Sequence, residues 1–144
     1  MRASITRTAT ALLILSGTLV SGRSHAETAS REAEAQAAAR AWLALVDGGK
    51  YADSWSTAAS LFRNAVTKEQ WTQQVAAVRD PLGAVLERKV KSSRYSTSLP
   101  GAPDGEYVVL QFSTRYANKK AAIETVTPMR DKDGAWRVSG YLIR

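Results

Sequence analysis

The sequence predicts an α+β domain in which N-terminal helices pack on an antiparallel sheet of about four strands. Three observations carry this reading. Apolar residues recur at spacings of three and four before about residue 80. After Gly83 the spacing falls to two. The strand-like runs at the C-terminal end are joined by short turn signals, which implies an antiparallel meander.

Taken in order, residues 27–31 read as a frayed start and residues 30–47 as the first helix. Ala35, Ala38, Ala39, Trp42 and Leu45 share one face of it, and Gly48-Gly49 ends it because glycine enters the left-handed region easily. Tyr51 and Trp55, four apart, mark a second short helix, and residues 60–65 add another turn or two. Thr67 followed by Gln70 is a capping-box pattern that opens a further helix. Trp71, Val75 and Val78 carry its apolar face, and Pro81 and Gly83 stop it.

The strands follow. Residues 84–95 form a long polar-faced strand with Leu86, Arg88 and Val90 in alternation. Pro100-Gly101 and Pro103-Asp104-Gly105 signal a loop. Residues 106–116 are the clearest strand: Val108, Leu110, Phe112, Thr114 and Tyr116 point one way, and Gln111, Ser113 and Arg115 the other. Asn118-Lys119-Lys120 makes a turn into residues 121–130, where Pro128 marks an edge or a bulge. Asp131 to Gly134 turn the chain into residues 135–143, with Trp136, Val138, Gly140 and Leu142 alternating against Arg137, Ser139, Tyr141 and Ile143. Trp42, Trp55 and Trp71 are the expected filling between helices and sheet.

Residues 1–26 read as a secretory signal peptide: Arg2 and Arg7, then the stretch containing Leu12-Leu13-Ile14-Leu15, then Ser24-His25-Ala26 as a small-residue site with cleavage after Ala26. The apolar stretch falls short of a membrane span, which needs about 20 residues. Cleavage leaves one domain over residues 27–144, periplasmic or secreted, whose net charge is +4 rather than the +7 of the whole chain. The chain has no cysteine, and its one histidine, His25, leaves with the leader. Ser-His-Asp and Cys-His catalysis are thereby excluded, as are nearly all zinc and copper sites. The expectation is no metal, no cofactor, no nucleic-acid partner and no assignable catalytic residue.

Several strings carry a resemblance: Ala41-Trp42-Leu43, Ser54-Trp55, Arg79-Asp80-Pro81-Leu82-Gly83, Leu99 to Val109, Glu124-Thr125-Val126-Thr127 and Asp133 to Tyr141. Over roughly residues 35–143 the chain resembles the bacterial family called domain of unknown function 4019. That resemblance implies a small exported domain. The order of helices, long strand and meander also resembles the NTF-two-like or cystatin-like fold. There the helices sit in the concave face of a curved sheet and make a cone whose mouth often binds a small molecule.

Candidate ligand-binding residues are Arg79, Gln111, Arg115, Glu124, Thr125 and Tyr141. Arg79 would hold an anion at the cone mouth, or simply complement a helix C-terminus. Glu124, Thr125 and Thr127, facing Gln111, Ser113 and Arg115, would make a polar patch inside the cone, with burial raising the pKa of Glu124. The plainer alternative is a solvated sheet face on which Glu124 pairs with Arg115 or Arg137. Asp47 and Asp53 could serve as general bases or as helix-end charges. Tyr51, Tyr107, Tyr141, Trp55 and Trp136 could line a pocket or fill the core. The function expected is non-catalytic binding of a small molecule or an envelope protein. Its rivals are an isomerase or hydrolase using carboxylate and tyrosine chemistry, and a dimerisation module.

Overall fold

The computed structural model describes residues 21–144. Most of the predicted leader, residues 1–20, lies outside the described residues, and residues 21–26 form the first turns of a helix. Helix α1 (Ser21–Asp47) is followed by α2 (Tyr51–Ser56), α3 (Ser60–Ala65), α4 (Lys68–Arg79) and a 3-10 turn at Asp80–Leu82. Four strands complete the chain: β1 (Val85–Ser96), β2 (Tyr107–Tyr116), β3 (Lys119–Arg130) and β4 (Trp136–Ile143). They form one open antiparallel sheet in sequential order, β1-β2-β3-β4.

The expected frayed start is instead regular helix. Arg31 pairs with Glu27 one turn back at 2.7 Å, and Glu32 accepts the Tyr95 amide of β1 at 2.9 Å. The helix therefore gains a partner on the sheet as well as local pairing. The buried face of α1 is Ala35, Ala39, Trp42, Leu43 and Val46, with Ala38 and Leu45 at its margin. In α4 the capping box forms as expected: the Gln70 amide donates to Thr67 Oγ1 at 3.2 Å, and the Thr67 amide to Gln70 Oε1 at 3.0 Å. Trp71 and Val75 are buried, but Val78 is 51% exposed and Arg79 takes the inward position beside them. Gly83 leaves the 3-10 turn at φ +73°, where a Cβ would stand 3.2 Å from the Ala117 side chain. Both facts favour glycine there.

The helical layer covers the sheet face carrying Val108, Leu110, Phe112, Val126 and Val138, which join Trp42, Trp71 and Val75 in the core. The Trp42 ring centroid lies 5.8 Å from that of Trp71 and 5.2 Å from that of Tyr141, so rings fill the space between the layers. The turn between β2 and β3 is Ala117-Asn118, with Lys119 already paired to Tyr116. Pro128, fully buried in a central strand, sits at a register shift between β3 and β4. The strand accommodates it because Ser139 is bulged out of the pairing.

Candidate functional site

Four elements bring charged side chains to one place between helices and sheet. The last residue of α1 is Asp47, where a carboxylate opposes the helix dipole and gains from nearby cations. The last turn of α4 supplies Arg79, in the favourable sense. On the covered sheet face β1 places Arg88 opposite Thr114, and β3 places Glu124 opposite Phe112. Tyr141 of β4 stands opposite Val126.

Arg88 grips two carboxylates at once. Its Nε and Nη2 donate to Glu124 at 2.7 and 3.2 Å, and its Nη1 and Nη2 to Asp47 at 2.7 and 3.0 Å. Glu124 has no solvent exposure, and its two oxygens receive four donors: the two from Arg88, Thr114 Oγ1 at 2.5 Å, and the Tyr141 hydroxyl. Arg79 donates to Asp47 Oδ1 at 2.8 Å and to the Tyr141 oxygen at 3.3 Å. Its guanidinium also lies over the Tyr116 ring, 5.1 Å from the centroid.

Burial is the largest influence on Glu124 and pushes its pKa up. The hydrogen bonds from Arg88, Thr114 and Tyr141, with the Arg88 charge, outweigh it and hold the carboxyl below its ordinary range. Asp47 is likewise held low against desolvation by Arg88 and Arg79. Burial, then the Glu124 charge, pushes the Tyr141 phenol far up. Two cations thus balance two anions, Glu124 has its lone pairs filled, and Tyr141 stays a donor. This is a clasp of matched charges rather than a poised acid or base.

The surface offers more room. A hollow of about 790 Å³ opens between α3, the loop before β2 and the β3–β4 hairpin. Asp131 is engaged there with the Ser60 amide at 3.0 Å and hydroxyl at 2.7 Å, and Asp133 holds Arg137 through two contacts of 2.7 Å. Arg130 donates to the Gly134 carbonyl at 3.1 Å. Arg63, Asn64 and Lys132 also line the hollow, and all three are exposed. Among the described residues no group of three or more His, Cys, Asp or Glu converges on a point that could hold a metal.

A family model described as protein of unknown function (DUF4019) matches residues 38–141. The chain belongs to the DUF4019 family. No curated protein and no solved structure matches it. The matched span reaches from α1 to Tyr141, so it contains every member of the charge clasp.

Within this DUF4019 domain the six expected site residues fall into two groups. Arg79, Glu124 and Tyr141 meet in the clasp. Gln111, Arg115 and Thr125 lie on the opposite sheet face, because Gln111 is paired directly with Thr125 and Glu124 with Phe112. The expected patch of Glu124 with Thr125, Gln111 and Arg115 therefore does not form. Glu124 pairs with Arg88 rather than with Arg115 or Arg137, and its pKa moves down rather than up. Tyr141 faces inward although alternation groups it with Arg137 and Ser139, since the Ser139 bulge reverses the phase of the strand.

Asp47, Arg88 and Thr114 complete the clasp; none of the three is among the six ligand-binding candidates, although Asp47 stands in the sequence as a possible general base or helix-end charge and Arg88, with Lys89 and Lys91, as a possible basic contact for an acidic partner or a charged edge. The signal for Arg88 was an arginine in phase with Leu86 and Val90; that for Thr114 was its place in the inward series of β2. Three further candidates serve the fold. The Tyr51 hydroxyl donates to Asp80 at 2.7 Å, that of Tyr107 to the Pro103 carbonyl at 2.6 Å, and Trp55 Nε1 to the Val66 carbonyl at 2.7 Å.

Proposed function

We propose that this DUF4019 chain is an exported, non-catalytic binding domain whose seat is the hollow beside α3. The observation that carries the reading is a contrast. Inside, each charged group is matched and Glu124 has no free lone pair with which to take a proton. Outside, a hollow of about 790 Å³ is lined by Arg63, Asn64 and Lys132, whose side-chain donors no acid of the hollow occupies. Such a lining suits a small polar molecule bearing an anionic group. The leader-like sequence of residues 1–26 supports the location outside the cytoplasm.

The test is native mass spectrometry of the chain recovered from the envelope fraction of its own host. The expected result is an adduct of small-molecule mass that disappears in Arg63→Ala/Lys132→Ala. Recovery from the cytoplasm with residues 1–26 intact would refute export. An adduct untouched by the double substitution, or none, would refute the hollow as the seat.

A further inference from the structure

The charge of this protein is divided between its layers. Residues 27–84, the helical part, carry six Lys and Arg against seven acids; residues 85–144 carry eleven against six. Within the sheet part, Glu124 is buried against Arg88, and Asp104, Glu106, Asp131 and Asp133 lie at the end with the β1–β2 loop and the β3–β4 hairpin. The uncovered sheet face keeps a single acid, Glu87. It lies opposite Arg115 on β2 and bonds Lys89 at 3.0 Å. Lys89, Arg94 and Arg115 are exposed on that face, paired with Ser113, Val109 and Glu87. Lys120 and Arg144 line a hollow of about 320 Å³ there, together with Ala121 and Ile123.

We propose that this face docks on an anionic phospholipid bilayer. Five exposed cations against one acid, on a sheet face left open by the helices, give a positive surface whose complement is a layer of phosphate head groups. The apolar side chains between them are small or aliphatic: Ala121, Ile123 and the half-exposed Leu142 opposite Thr125. The face offers no ring on which a nucleic-acid base could stack. Its one aromatic, Tyr107, is buried with its hydroxyl tied to Pro103, while Tyr95, Phe112, Tyr116 and Tyr141 point to the covered side. Single-strand binding depends on such rings, so a lipid surface fits better than RNA or DNA. None of these five cations lines the hollow beside α3, so either assignment can fail alone.

The test is sedimentation of the chain with vesicles of phosphatidylcholine alone and of phosphatidylcholine with one-third phosphatidylglycerol. Binding is expected only to the second, and is expected to vanish near 1 M salt, where charge is screened beyond about 3 Å. Lys89→Glu/Arg115→Glu/Lys120→Glu should lower partition at least about tenfold, since each basic side chain near an anionic surface contributes measurably. Lys50→Glu/Arg63→Glu/Lys132→Glu carries the same net charge and should stay within about twofold of the parent. Circular dichroism of both variants checks that they fold. Equal loss in the two triple variants would overturn the proposal by showing a net-charge effect. So would equal binding to both vesicle types, or tighter binding to an oligonucleotide than to the anionic vesicles.

Discussion

Replacing Glu124 by glutamine tests whether the clasp supports the fold. Glu124 is fully buried, and Arg88 would keep only Asp47 as counter-ion, a side chain 27% exposed. The amide cannot be turned to fit. One oxygen position receives Arg88 Nε and Thr114, the other Arg88 Nη2 and Tyr141, so either orientation sets the new NH2 against an arginine N–H. The hydroxyls can rotate to accept; the guanidinium cannot. Breaking a buried pair by removing one partner costs about 3–5 kcal/mol, and the surviving Asp47 contact places Glu124→Gln near about 3 kcal/mol. For a domain of this size that is a fall in Tm of about 10 °C. Urea unfolding at pH 7 measures it. Arg88→Met should cost a similar amount, and the double variant about 2 kcal/mol less than the sum of the two. A loss below about 1 kcal/mol for Glu124→Gln, or strict additivity, would refute the clasp as a stabilising unit.

The same variant should change the acid limb. The folded-state pKa of Glu124 lies below its ordinary 4.5, and that of Asp47 below its ordinary 3.8. The unfolded chain therefore takes up protons first as pH falls. The stability these groups contribute is complete above those ordinary values and is lost as pH falls through the lower folded values. Glu124→Gln should flatten the loss of stability below about pH 4.5 relative to the parent. An unchanged acid limb would show that the pKa of Glu124 is the same in the folded and unfolded chain, and a steeper one that it is raised by folding.

Two further substitutions probe how the layers are built. Ser54 is buried, accepts the Trp71 Nε1 proton at 2.9 Å and donates to the Tyr51 carbonyl at 2.6 Å; Ser54→Ala orphans the indole and should cost about 1–3 kcal/mol in urea unfolding. Gly83→Ala forces a Cβ into a left-handed residue and against Ala117, and should lower stability by about 1–3 kcal/mol; a neutral result would contradict the turn geometry.

The order of elements was legible because it rests on local periodicity and local chemistry. The capping box at Thr67 and Gln70, the stop at Pro81-Gly83 and the inward series from Val108 to Tyr116 all form as the residues suggest. The site was less legible, for two reasons. Strand phase can be counted only while pairing is regular. The Ser139 bulge turns Tyr141 inward, and the shift after Val85 leaves Leu86 55% exposed while Arg88 is enclosed. Partnership across the chain leaves no local mark: Asp47 reads as helix-end chemistry until α1 is seen ending above β1. The same holds for Arg79, whose helix-terminal position is favourable by itself and conceals its contact with Asp47.

Arg88 has one further consequence, for how the molecule comes apart. Its two carboxylates lie 41 and 36 residues away along the chain, on opposite sides of it. A polypeptide severed after Gly83 would leave the arginine with Glu124 but without Asp47. A piece ending before β3 would strand it the other way. Either cut takes from Arg88 one of its two partners, so helices and strands should melt together in one transition. Two severed halves should recover native structure only when mixed.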